Sequence, residues 1–275
     1  MSTLDDMTVG GDPQALGQML RSRRERLVPA DVGLPPGSRR RTAGLRREEV
    51  ALLANLSTTY YTFLEQGRPV RPSAQVLDAL ASALRMSAAE RRYLQVLAYG
   101  RDGTASAGTA VVMPPPEHID SGVVDLVQRL DPYPTFVKGR RWDVLASNPA
   151  ARELFTDWET LPAHERNLVR WMFMTDRARE VYCEWESEAR AMLGRFRLAA
   201  ARYPQDPDFE ALIAELRRDS DHVRDWWPRH DVTAVGSGSK KLRHPRLGPV
   251  DYSHVVLQIA DNPDQTLVTY SPASG

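Results

Sequence analysis

The chain has one cysteine, Cys183. An intramolecular disulfide and a multi-cysteine metal site are therefore excluded, and a reducing, cytoplasmic compartment fits this usage. Net charge is also missing, since 36 Lys+Arg balance 36 Asp+Glu. That rules out a uniformly basic, histone-like protein and a dominant acidic tail. No apolar run approaches the roughly 18 residues of a membrane helix. The opening MSTLDDMTVGGDP has no apolar core, so it does not read as a signal peptide; residues 1–13 read as a flexible N-terminus. The six histidines show no HxxxH or HxH spacing, and Gly236–Lys241 lacks the P-loop pattern. His230-Asp231 is the best acid–base fragment, but no nucleophile accompanies it. No catalytic residue, metal or cofactor is expected, and the chain does not read as an enzyme.

What is present is ordinary globular composition, 42% hydrophobic and 26% charged over 275 residues. That length suits roughly two domains. The neutral total hides a split. Residues 14–100 carry 14 basic and 7 acidic residues, and every one of those bases is arginine. Nine of them fall within 21–47, including Arg39, Arg40 and Arg41 in a basic loop over 28–44. A cationic surface confined to one domain suggests a polyanion partner; a solvated, Arg-rich face is the alternative.

Apolar spacing predicts helices over 14–27, 45–54, 74–84 and 88–99, with a further one starting near Ser57. Leu16, Met19, Leu20 and Leu27 form one stripe of the first, with its arginines elsewhere. Residues 100–118, with three consecutive prolines, have linker composition. Beyond it, 135–138 and 142–146 predict two short strands, helices dominate from about 149 to 227, and 184–202 is the strongest. Pro149 suits a first helical turn. The chain then returns to strands: a hairpin over 233–245 with a Gly-Ser tip, and strands over 250–259 and 266–270 with a turn at Asn262-Pro263-Asp264.

The most informative stretch is LRREEVALLANLSTTYYTFLEQGRPVRP, residues 45–72. Two short helices that cross steeply need small residues at the contact, and Ala51 and Ala54 supply them. Asn55 tolerates the left-handed turn, and Ser57 is a good N-cap. Tyr61 and Leu64 point back to Val50 and Leu53. Gly67 closes the helix. This leaves Ser57, Thr58, Thr59, Tyr60 and Phe63 to meet base edges in a major groove. Arg46, Arg47, Arg68 and Arg71 flank the reading helix, where they would contact phosphate. A helical corner used only for packing is the alternative.

This stretch resembles the XRE (Cro/repressor-type) helix-turn-helix, and LRREEVA followed by SxxYYxxLEQGR closely matches one bacterial branch of it. The likeness covers residues 14–99. It implies base reading by Ser57, Thr58 and Thr59 and phosphate contacts by Arg46, Arg47 and Arg68. Phe63 departs from the branch, where a polar residue is common.

YPTFVKGRRWDVLASNPAARELF (133–155) resembles the start of a PAS-like domain. With NLVRWMFMTDRARE, RYPQDP, WWPRHDV and KKLRHPRLGPVDY, residues 119–275 resemble the MmyB-like ligand-binding domain. The fold class expected is therefore multi-domain, an all-α helix-turn-helix DNA-binding domain followed by an α+β PAS-like sensor. The resemblance implies a small apolar or fatty-acid-like ligand. All six tryptophans lie in this half. Aromatic lining suits an apolar pocket with a few orienting polar groups, so Trp142, Asn148, Arg170 and Phe173 are the candidate ligand-binding residues, with Arg170 able to hold a carboxylate. The alternatives are ordinary core aromatics and an Arg170 paired with a structural acid. A transcription regulator of double-stranded DNA follows, expected to be a cytoplasmic, nucleoid-associated homodimer without membrane contact. A DNA-binding adaptor whose second domain recruits a protein partner is the other reading.

Overall fold

The computed structural model describes residues 11–35, 44–100 and 117–273. Arg39, Arg40 and Arg41 and most of the linker lie outside the described residues. The chain divides into two units. One holds the described residues up to Gly100, together with 200–206 and 226–232. The other holds 117–199, 207–225 and 233–273.

Among its described residues the first unit holds five α-helices up to Gly100. In α1 (Pro13–Arg26), Asp12 caps the start by accepting from the Ala15 N–H at 2.9 Å, and Leu16, Met19 and Leu20 are buried. The second, α2 (Arg47–Leu53), starts two residues later than apolar spacing suggests. Leu45 still precedes the helix there, donating its N–H to the Arg24 carbonyl at 3.0 Å, and Arg46 is extended, with the Glu49 carboxylate accepting from its N–H at 2.7 Å. Asn55 takes the left-handed conformation, φ +54°, and Ser57 caps α3 (Thr58–Glu65). Gly67, φ +68°, turns the chain out of that helix. Next come α4 (Ala74–Ala83) and α5 (Ala88–Tyr99); Ser87 and Glu90 cap the latter reciprocally. Gly17 lets α1 approach the end of α3 closely. A Cβ there would lie 2.6 Å from the Glu65 carbonyl oxygen.

The second unit opens with α6 (Ser121–Arg129), followed by β1 (Thr135–Lys138) and β2 (Val144–Ser147). A helical run follows: α7 (Pro149–Leu154), α8 (Leu168–Met174), α9 (Asp176–Val181), α10 (Trp185–Ala200), α11 (Pro207–Asp219) and α12 (Asp221–Trp226). Three strands close it, β3 (Gly238–His244), β4 (Gly248–Ile259) and β5 (Asn262–Pro272). The five strands form one antiparallel sheet in the order β2-β1-β5-β4-β3.

Two turns differ from the sequence expectation. The β3–β4 hairpin tip falls at residues 245–247, because His244 pairs with Gly248. The Gly-Ser stretch instead leads into β3. Asn262 is already in β5, opposite Ile259, so the β4–β5 turn is two residues earlier than the Asn-Pro-Asp signal suggests.

Strand alternation sorts the sheet's two faces. Val137 and Leu267 meet Val127 of α6, with Ile119, Val123 and Leu130 around them. Phe136 and Lys138, Val268 and Tyr270, His254 and Val256 point to the opposite face, where the helical run covers them.

Candidate functional site

The exposed side of α3 is the first candidate site. Thr58 and Thr59 are exposed, while Tyr60, Thr62 and Phe63 are partly covered. Tyr61 and Leu64 are buried with Val50, which fixes which face turns outward; Leu53 is only partly covered. The Ser57 hydroxyl is engaged as the cap, accepting from the Tyr60 N–H at 3.1 Å, and the Thr62 hydroxyl donates to the Thr58 carbonyl at 2.7 Å. Among the threonines of α3, Thr58 and Thr59 are thus the two whose hydroxyls make no internal hydrogen bond. The Arg68 guanidinium lies over the Phe63 ring, 4.1 Å from its centroid, so Phe63 steadies a cation at the helix end. Arg71 lies 5.7 Å from the centroid of the Tyr99 ring. Arg46 is exposed, with Glu48 at 3.5 Å.

Arg47 is different. Its guanidinium reaches Glu65 at 2.8 Å. Arg24 grips the same carboxylate with two hydrogen bonds of 2.7 and 2.9 Å, and its third donor reaches the Leu45 carbonyl at 2.9 Å. Burial would raise the Glu65 carboxyl, but the hydrogen bonds and charge of Arg24, then of Arg47, outweigh it and hold it below the usual carboxylate range. Burial first, and the neighbouring Glu65 charge second, push the Tyr61 phenol far above its ordinary value. This cluster joins α1, α2 and α3. Part of the hydrogen-bonding capacity of Arg47 is therefore structural. The signal in the sequence was spacing, because Arg24 follows Leu16 and Leu20 at four-residue steps and so falls on the buried stripe rather than elsewhere.

The second candidate is a cavity inside the second unit, about 620 Å³ with part of that volume open to solvent. Its apolar wall comes from Phe136, Trp142, Phe155, Trp171, Met192 and Val268. Edge-to-face contacts hold these rings: Phe155 to Phe136 and to Trp171, each with centroids 5.9 Å apart, and Trp171 to Tyr182 at 6.1 Å. The polar side comes from Lys138 of β1, Arg195 of α10, Lys240 of β3, His254 of β4, and the phenols of Tyr182 and Tyr270. Those two hydroxyls share a hydrogen bond, and burial raises both phenols well above the tyrosine range, so they remain protonated. Burial, then the nearby Lys240 charge, lower the His254 imidazole.

Of the four residues expected to hold a ligand, Trp142 lines this cavity and the other three do not. Asn148 is fully buried as the cap of α7. Its side-chain oxygen accepts from Thr135 N at 3.0 Å and Ala151 N at 2.9 Å, and its amide donates to the Tyr133 carbonyl at 2.8 Å. Arg170 is ion-paired with Glu215 of α11, which corresponds to the structural-acid alternative. Phe173 packs edge-to-face on Trp185, with centroids 6.2 Å apart. The cationic and phenolic residues were missed. Only Lys138 carried a local signal, a lysine two residues from Phe136 on the inward face of a strand.

Among the described residues there is no cluster of metal-binding side chains and no helix long and apolar enough to cross a membrane. The arrangement is that of a DNA-binding regulator: a helix-turn-helix whose second helix turns one face outward, joined in one chain to a unit that holds an aromatic cavity. The family described as MmyB-like transcription regulator ligand binding domain matches residues 119–275, and a helix-turn-helix domain family matches residues 15–94. The chain belongs to the MmyB-like transcription regulator family, and its two domains are those of a ligand-responsive transcription regulator. No curated protein sequence matches it.

Proposed function

We propose that α3 reads operator DNA in the major groove, that the chain acts as a homodimer on two half-sites, and that the aromatic cavity takes a small apolar or fatty-acid-like effector. The reading places the protein in the cytoplasm, on the nucleoid. The observation that carries it is the outward face of α3, where Thr58 and Thr59 keep their hydroxyls available beside Arg46, Arg68 and Arg71. Hydroxyls and a planar aromatic edge distinguish base pairs, whereas the arginines address phosphates of any sequence. Trp142 and Trp171, the tryptophans that line the cavity, are buried. Their burial favours an effector cavity over a protein-docking face, which would need its aromatic anchors exposed.

Duplex selection from a random pool tests the DNA part. Thr59→Ala is expected to relax preference at one base pair, a change of about 1–3 kcal/mol, while salt-sensitive non-specific binding persists. By contrast, Arg68→Ala is expected to weaken all duplexes alike and to lower the salt dependence by about one phosphate contact. Unchanged selection by Thr59→Ala would remove α3 from the reading role. Native mass spectrometry of protein taken from its own cells tests the cavity, with a co-purifying small molecule as the expected result.

A further inference from the structure

The chain leaves α3 through a pair of backbone bonds. The Gly67 N–H donates to the Leu64 carbonyl and the Arg68 N–H to the Phe63 carbonyl, both at 3.0 Å. This kind of ending folds the residue after the glycine back over the last helical turn, where an apolar contact commonly forms. Here that residue is Arg68 and what it meets is the Phe63 ring, so the contact becomes a cation over an aromatic face, 4.1 Å from the centroid. The ending is anchored from α1 as well. Gly67 has φ +68°, and a Cβ on it would lie 2.7 Å from the Gln14 side chain. The Gln14 amide donates to the Gly67 carbonyl at 3.3 Å. Backbone geometry therefore sets Phe63 and Arg68 together.

The donors of Arg68 are divided. Its Nε donates to the Gln66 side-chain oxygen at 3.1 Å, while its two terminal nitrogens make no hydrogen bond among the described residues. No carboxylate among those residues pairs with it either, whereas Arg46 faces Glu48 at 3.5 Å and Arg47 binds Glu65 at 2.8 Å. Arg68 is thus an exposed charge without a counter-ion, its plane held by a ring and its inner edge by an amide. The outer edge is left as a planar fork, the shape that takes two oxygens of one phosphate. A long side chain ordinarily loses rotamer freedom when it engages a partner, and holding it beforehand lowers that cost.

Resting on the reading of α3 as the helix that meets DNA, we infer that Phe63 is a positioning residue rather than a base reader: its ring, with Gln66, holds Arg68 ready for one backbone phosphate. Phe63 then adds to the affinity for a duplex of any sequence, and does so only through Arg68. One face of its ring is already taken by the guanidinium, and the side chain is partly covered. Sequence discrimination stays with the first turn of α3, where Thr58 and Thr59 stand. The aromatic ring matters because its face attracts a cation, whereas an aliphatic side chain in the same place would offer the alkyl contact alone.

The test is a double-mutant cycle on the full-length protein with two probes, a duplex recovered from the random pool and a shuffled duplex of the same length. Phe63→Leu, which keeps a good helix former, is expected to weaken both duplexes alike, by about two- to fivefold, the worth of a cation–aromatic contact at an exposed site. Its plot of log affinity against log salt should become shallower, by no more than the roughly one contact that Arg68→Ala removes. Phe63→Tyr keeps the ring and should retain affinity. In the Arg68→Ala background, Phe63→Leu should change nothing further. A loss of preference at one base pair in Phe63→Leu would make Phe63 a base reader and overturn the inference. Two other results would overturn it too: no weakening by Phe63→Leu, or the same weakening, with an unaltered salt slope, when Arg68 is already absent. In each of those cases a shifted preference in Thr59→Ala leaves α3 as the reading helix. If Thr59→Ala and Arg68→Ala both leave the two duplexes bound as before, the DNA reading of α3 fails and the inference with it.

Discussion

Glu65→Ala is expected to destabilise the DNA-binding unit by about 3–5 kcal/mol, the usual result of removing one partner from a buried ion pair. The Glu65 side chain is 1% exposed and Arg24 7%, so without the carboxylate Arg24 is left as a buried cation held by the Leu45 carbonyl and, at 3.4 Å, by the half-exposed Glu25 carboxylate. Arg47 loses its partner too, but at 45% exposure it rehydrates at little cost. Glu65→Gln keeps the shape and loses the charge, and is expected to recover only part of the loss. Chemical denaturation of the full chain, followed by a probe in the first unit, measures both. Because Glu65 is held below its usual 4.5, its contribution is complete above that pH and disappears as pH falls through the lower folded value. Acid should therefore weaken this unit less in Glu65→Gln than in the unsubstituted protein.

A loss of similar size is expected for Asn148→Ala in the second unit. The side chain satisfies two backbone N–H groups and one carbonyl in a site without water access. Each buried group left unpaired costs about 1–3 kcal/mol, giving a total of roughly 3 kcal/mol or more. Thermal unfolding should show a lower midpoint, while the affinity for the co-purifying small molecule, measured well below that midpoint, stays unchanged. A variant of normal stability with weakened ligand binding would return Asn148 to the role its sequence context suggested.

The contrast between Asn148 and Asn55 shows how far the sequence reaches. Asn55 is constrained by its immediate neighbours: small alanines before it, a capping serine after it and Gly67 one short helix later. Such cues act within a few residues, so the turn, the cap and the outward face of α3 were all legible. Asn148 was legible as the residue before Pro149 at a helix start, yet its bonds to Thr135 and Tyr133 cross from α7 to the lead-in of β1. Arg170 likewise finds Glu215 45 residues away. The cavity is more distributed still, since Lys138, Arg195, Lys240 and Tyr270 meet only once the sheet has paired and α10 covers it. Hydrophobic periodicity identifies α10, but it cannot identify which arginine of that helix turns inward. The Gly-Ser stretch failed for a related reason. Glycine and serine mark an irregular segment, while the hairpin tip is set by pairing register, and the register here places it at residues 245–247.

A regulator of this kind needs its effector to favour one DNA-binding state over another, and linkage makes the effect reciprocal. The decisive experiment measures operator affinity for protein extracted of its small molecule and for the same protein after that molecule is returned, and then the molecule's affinity with and without operator. Operator affinity is expected to change by about 5–150-fold, and the small molecule's affinity by the same factor in the same direction. Equal operator affinities in the two forms, with the molecule demonstrably bound, would show a DNA-binding protein whose cavity does not govern it.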